Sequence, residues 1–94
     1  MEIDLADIVI SINGRDKGKY FIVIRLQGEY SMIADGKNRR VDKPKLKKNK
    51  HLKLSGKADD RITTKLTSGE KVTNNEIRRA LAEYIATREE KGGM

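Results

Sequence analysis

Residues 7–24 read DIVISINGRDKGKYFIVI, two apolar segments joined by a short polar loop. In the first segment isoleucine occupies every second position (8, 10 and 12), which is the side-chain period of a strand with one buried face. The second segment, residues 20–26 (YFIVIRL), is rich in β-branched and aromatic residues and is apolar on both faces. It predicts a central strand that is covered on both sides.

The chain after residue 26 predicts three more strands and the turns between them. Residues 30–34 form the third, and the Asp35-Gly36 pair predicts a type I′ hairpin turn, which needs positive φ at both central positions. Residues 39–42 are expected to return as a short fourth strand that ends at Lys43-Pro44, because proline cannot donate to a strand ladder. A fifth strand at residues 50–54 (KHLKL) would close a small SH3-like or OB-like barrel.

Residues 56–94 change in composition and predict helices. Ile62 and Leu66 are four apart, which indicates a short helix within residues 58–67. The sequence TNNE at residues 73–76 matches a capping box, and Gly92-Gly93 is expected to stop the helix that follows it. That helix carries an apolar stripe at helical spacing, formed by Ile77, Ala80, Leu81, Tyr84, Ile85 and Arg88.

The stripe must be covered, because an isolated helix of this length is marginal in water. We expect it to dock on the second face of the strand at residues 20–26. The predicted fold class is therefore mainly β, a small five-stranded SH3-like barrel at residues 1–55 with a C-terminal α-helical tail at residues 56–94. Ninety-four residues suffice for only a single structural domain.

Positive charge is concentrated in one segment of the chain. Residues 37–57 contain ten basic residues and a single acid, Asp42, for a net charge of +9, whereas the whole chain carries +7. The remaining residues therefore sum to −2. Such a local excess favours a polyanionic partner, because lysine and arginine near phosphates release condensed counterions.

Several function classes find no support in the sequence. There is no cysteine, the single histidine, His51, lies between lysines, and neither a nucleophile–base pair nor a P-loop is present. We expect a non-enzymatic protein with no cofactor, no metal site and no small-molecule substrate. No apolar segment approaches the ~20 residues that cross a bilayer, and no basic stretch followed by an apolar run begins the chain. The expectation is a cytoplasmic protein with no membrane partner.

The segment at residues 7–24 resembles a KOW motif, with an alternating strand, then GRDKGK, then a second apolar strand. The resemblance covers residues 5–54 and extends to small bacterial KOW-domain proteins and, through them, to KOW-domain proteins of the archaeal and eukaryotic large ribosomal subunit. It implies an SH3-like barrel that binds structured, ribosomal RNA. Carried over to this chain, Gly14 and Gly18 shape the first loop, while Arg15, Lys17 and Lys19 face phosphates.

The predicted RNA-binding residues combine that loop with the basic segment after it. They are Arg15, Lys17, Lys19, Lys37, Arg39, Arg40, Lys43, Lys45, Lys47, Lys48 and Lys50. The lysine-dense residues 45–50 are expected to order only on binding. Phe21 is expected in the core, whereas base stacking by Tyr20 and Tyr30 stays open. Two other classes also stay open, a protein-interaction module and a transcription-associated nucleic-acid-binding protein.

Overall fold

A five-stranded antiparallel sheet and two helices make up the fold, in a computed structural model that describes residues 2–92. The strands and helices follow in the order β1 (Asp7–Ser11), β2 (Tyr20–Gln27), β3 (Tyr30–Ala34), β4 (Lys45–Lys48), β5 (Leu52–Lys57), α1 (Asp60–Thr67) and α2 (Asn74–Gly92). A 3₁₀ turn at Asn49–His51 joins β4 to β5.

The strand order is β4-β3-β2-β1-β5, so two strands that are consecutive in the chain lie at opposite edges of the sheet. Only the three residues Asn49–His51 connect them. The sheet therefore curls until its edges approach each other. The hydrogen bond from Lys47 Nζ to the Asn13 carbonyl (2.9 Å) spans this approach. The bond from the Ile12 amide to the His51 carbonyl (3.0 Å) extends the pairing of β1 with β5 into the connection.

Two irregularities in strand pairing accompany this curl. Ile8 pairs with Gly56 but Val9 pairs with Leu54, which leaves one extra residue on β5. The register between β2 and β3 shifts in the same way, so that Ile24 is the extra residue there. Bulges of this kind bend a strand and increase its local twist.

The curled sheet encloses one of its own faces as a core. Its core consists of Val9, Phe21, Val23, Ile33 and Leu52, each at most 4% exposed, with Ile3 packed against it. Among the side chains that the structure describes, none from either helix belongs to this cluster. The structure is thus barrel-like, with an interior lined by strand residues, and Phe21 is a core residue as predicted.

The opposite face packs against the helical layer. Ile8 and Ile22 share a buried cluster with Ile77, Ala80 and Leu81 of α2, at the positions of the predicted stripe. The cluster is completed by Ala6, Ala58, Ile62 and Val72. Because both faces of β1 are covered, the expectation of a strand with one buried face is wrong for its central residues.

Both helices begin with side-chain caps. Asp59 Oδ1 accepts the Ile62 amide at 2.9 Å at the start of α1. For α2, Thr73 Oγ1 accepts the Glu76 amide at 3.1 Å and Glu76 Oε1 accepts the Thr73 amide at 3.0 Å, which is the reciprocal capping box that the sequence indicates. Glu76 Oε2 also lies 2.7 Å from Lys65 Nζ and thereby joins the two helices.

The fourth strand differs from its predicted position. Residues 39–42 are not a strand but belong to a loop at residues 35–44, and β4 is Lys45–Lys48. Asp35 does not form a type I′ turn, because only Gly36 of the pair has positive φ (78°). Instead the Asp35 carboxylate accepts the amides of Lys37 and Arg39 and turns the chain through a longer loop.

The lysine-rich segment is ordered without a ligand. Residues 45–48 pair with β3, so the expectation that they order only on binding is wrong. The pairing partners in β3 supply the main-chain hydrogen bonds that a lysine-rich segment cannot gain alone. The fifth strand is Leu52–Lys57, later than predicted, because residues 49–51 form the 3₁₀ turn.

The ion pairs of Glu76 predict a pH-dependent stability. Hydrogen bonds from Lys65 and the Thr73 amide hold the Glu76 pKa at about 2, below its ordinary value of 4.5. The stabilisation is complete above pH 4.5 and is lost as the pH falls towards 2. Glu76→Gln should therefore lower the melting temperature at neutral pH and flatten its decline across that acidic range. Thermal melts of Glu83→Gln, which removes an exposed carboxylate from the same helix, are the control.

A second prediction concerns Gly56, which the Tyr84 ring approaches closely. A Cβ at residue 56 would lie 2.8 Å from Tyr84 Cε1 and Cζ. Gly56→Ala should cost about 1–3 kcal/mol in the free energy of unfolding, because the ring must shift. In a Tyr84→Ala background the same substitution should cost far less. Equal costs in the two backgrounds, measured by denaturant unfolding, would contradict a clash with the ring.

Candidate nucleic-acid interface

The loop between β1 and β2, residues 12–19, has the shape that its two glycines permit. Gly14 and Gly18 adopt positive φ, 77° and 87°, a region that glycine enters without steric cost. Between and beside them, the side chains of Arg15, Lys17 and Lys19 are exposed. The loop thus presents three cations to solvent from one short connection.

The amides of this loop are already used within the protein. Those of residues 17, 18 and 19 donate to carbonyls of Gly14, Ser11 and Asp16 at 3.2, 2.7 and 2.9 Å. These three amides are therefore not available to an anion. Contact with a phosphate at this part of the loop therefore depends on side chains.

A buried acid joins this loop to the loop at residues 35–44. Asp16 is only 8% exposed, and its Oδ2 lies 2.9 Å from Nη2 of Arg39. The Arg39 side chain is one-third exposed, and within the described chain its buried Nε has no hydrogen-bond partner. Arg39, one of the predicted phosphate contacts, thus has a role in the free protein, which is to hold two basic loops together.

β4 presents its lysines on both faces of the sheet edge. Lys45 pairs with Ile33 and Lys48 pairs with Tyr30. Because directly opposed residues share a face and successive residues alternate, Lys45 and Lys47 lie on one face and Lys48 on the other. β4 is an edge strand, so a polyanion lying along this edge can reach both sets.

The loop at residues 35–44 is fixed by α2. Asn74 Oδ1 accepts the Val41 amide at 2.8 Å, and Arg78 Nη1 donates to the Gly36 carbonyl at 2.7 Å. Gly36 also packs so closely that a Cβ there would meet the Asn74 carbonyl and, at 3.0 Å, Arg78 Cγ. The sequence analysis did not predict these roles of Gly36, Asn74 and Arg78.

Three exposed cations project from that loop. Lys37 and Lys43 are exposed, and Arg40 lies 3.6 Å from Asp42 in a pair whose two side chains are 55% and 68% exposed. A pair this exposed is weak, at about 0–1 kcal/mol, and leaves the arginine available to another anion.

We call the exposed or half-buried cations of these three segments the basic surface. It comprises Arg15, Lys17, Lys19, Lys37, Arg40, Lys43, Lys45, Lys47 and Lys48. The segments are connected by the Asp16–Arg39 pair and by the Lys47–Asn13 hydrogen bond. Lys50 is exposed in the 3₁₀ turn at the end of β4, where it extends the edge.

The tyrosines occupy different environments. Tyr20 is half-buried and meets the Tyr84 ring edge to face, with centroids 6.3 Å apart. Arg88 lies over the Tyr84 ring, and its hydrogen bonds to Tyr20 and Tyr84 raise the arginine pKa. Tyr30 is 39% exposed at the start of β3. Tyr20 thus belongs to the packing between sheet and α2, whereas the ring of Tyr30 is accessible.

Among the side chains that the structure describes within residues 2–92, no group of three or more His, Cys, Asp or Glu could hold a metal ion. His51 is half-buried in the 3₁₀ turn. Within the same residues, neither helix has the length and hydropathy to cross a membrane.

Neither the scan against protein-family models nor the search of curated proteins finds a match.

The pair between the loops can be tested by a double-mutant cycle. Asp16→Ala leaves the partly buried guanidinium of Arg39 without its acidic partner. We therefore expect this substitution to be more destabilising in the wild-type protein than in an Arg39→Ala background. The coupling should be about 0.5–3 kcal/mol in the free energy of unfolding, as for residues in direct contact. Additive effects in denaturant unfolding would show that the pair contributes nothing in solution.

Proposed function

We propose that this protein is a KOW-type RNA-binding protein that holds structured, ribosomal RNA through the basic surface, without catalysing a reaction. It would act in the cytoplasm, as a ribosomal or ribosome-associated protein. The observation that carries the proposal is the joining of three separate basic segments into one surface by the Asp16–Arg39 pair and the Lys47–Asn13 bond.

The balance of charge supports a polyanionic partner. Acids near the basic surface are few, and two of them are engaged, since Asp16 is buried against Arg39 and Asp35 accepts loop amides. The other cations have at most weak partners within the protein, such as the exposed Arg40–Asp42 pair, and they repel one another. Phosphates placed among them relieve that repulsion and release counterions, which is the main source of affinity in nucleic-acid binding.

The nature of the contacts favours recognition of RNA shape. Lysine contacts phosphate as a point charge, and arginine adds a planar fork for two phosphate oxygens. Such contacts fix position and orientation but do not read bases. Helical RNA is recognised mostly through its shape, phosphates and 2′-hydroxyls, so we expect weak dependence on sequence.

The KOW resemblance supports the choice of ribosomal RNA. The glycines of GRDKGK that it assigns to loop shaping, Gly14 and Gly18, adopt the positive φ that such a loop requires. The curled five-stranded sheet accords with the SH3-like barrel that the resemblance implies. A transcription-associated DNA-binding role shares the same electrostatics, and competition between RNA and DNA duplexes distinguishes the two.

The salt dependence of binding tests the proposal. For a blunt-ended RNA duplex, Arg15→Ala combined with Lys17→Ala should flatten the slope of log K against log [salt] by about 0.7–0.9 for each lost phosphate contact. The control, Lys71→Ala combined with Arg79→Ala, removes the same charge from exposed positions of the helical layer and should leave the slope unchanged. Fluorescence anisotropy titrations at several salt concentrations measure both.

Two results would overturn this reading. Equal flattening by both double variants would mean that only the net charge of the protein attracts RNA. Displacement of bound RNA by a DNA duplex at equal concentration would favour the transcription-associated alternative.

A further inference from the structure

A small apolar patch is exposed next to the basic surface. On β3 and β4, Tyr30 pairs with Lys48 and Met32 pairs with Leu46, so the four side chains lie on one face of the sheet edge. Tyr30 is 39% and Leu46 is 44% exposed, and Met32 is half-buried between them. We call these four residues the Tyr30 patch.

The patch combines an aromatic ring with a cation. Lys48 Nζ lies 5.9 Å from the centroid of the Tyr30 ring, at the outer limit of a cation–π contact. At this distance the ammonium is beside the ring without sealing it from solvent, in agreement with the exposure of Tyr30. An accessible ring beside an ammonium offers one nucleotide a surface for its base and a partner for its phosphate.

The Tyr30 patch lies next to the lysines that are proposed to hold the RNA backbone. Lys45 and Lys47 project from the opposite face of β4, and Lys47 reaches the first loop through Asn13. A nucleic-acid backbone held by these lysines therefore runs along the edge strand whose other face carries the patch. The patch and these two lysines thus lie on the same short strand and its partner β3.

We propose that the Tyr30 patch binds a single unpaired nucleotide of the RNA, with its base stacked on Tyr30 and its phosphate beside Lys48. The inference rests on the proposed function and specifies which RNA structure the protein prefers. Bases inside a duplex are stacked on their neighbours and cannot offer a face to the ring. The preferred ligand is therefore an RNA helix interrupted by an unpaired base.

The test compares two RNA probes, a blunt-ended duplex and the same duplex with one unpaired adenosine at its centre. The protein should bind the interrupted duplex about five-fold or more tightly, which is the lower end of base–aromatic stacking. Tyr30→Leu keeps an apolar side chain but removes the ring, and should abolish this preference while leaving affinity for the blunt duplex unchanged. Tyr30→Phe keeps the ring and should retain the preference.

The possible outcomes separate this inference from the proposed function. Tight, salt-dependent binding of both duplexes with equal affinity would overturn the patch alone, as would a preference that survives Tyr30→Leu. Failure to bind either duplex would overturn both proposals. Sedimentation of the free protein as a dimer that Tyr30→Leu dissociates would show that the patch is covered by a second copy, which would also overturn its assignment to RNA.

Discussion

The shape of the sheet depends on the connection between its two edge strands, which is only three residues long. β4 and β5 are the two outermost strands, yet only Asn49–His51 separates them. A flat sheet would place them several strand widths apart, at about 4.7–4.9 Å per strand. The sheet must therefore curl, and the curl gives Val9, Phe21 and Ile33 an enclosed interior without help from a helix.

The same curl places the loops and the edge strand beside each other. The first loop lies between β1 and β2, but the curl brings Asn13 to Lys47 of β4. The helical layer adds a second restraint from the other face, because Asn74 and Arg78 hold the loop at residues 35–44. The cations of the basic surface are thus carried by short segments that are each fixed at more than one point. Such preorganisation lowers the entropy that binding must offset.

Much of the fold follows from local sequence signals. The observed fold differs from the predicted one where contacts between distant residues determine the local structure. The apolar run at residues 20–26 and the capping box at Thr73 and Glu76 act within a few residues, so pattern alone identifies them. Residues 45–48 have low strand propensity and form a strand only because β3 pairs with them. Composition alone also indicates the basic loop and segment as a candidate site. The hydrogen bond from the Val41 amide to Asn74 could not be predicted, because nothing in the local sequence signals a contact between residues 33 positions apart.

The pairing of β1 with β5 has a consequence for the order in which the protein is made. Asp7 pairs with Lys57 and Ser11 with Leu52, so the first strand receives its second neighbour only after most of the sheet exists. Before β5 has been synthesised, β1 can pair with β2, but its other edge is unpaired and one apolar face is exposed. Contacts of such long sequence separation close slowly. The emerging chain therefore spends time as an unfinished sheet, in which the polar, cationic segment at residues 37–50 is the part that discourages premature association.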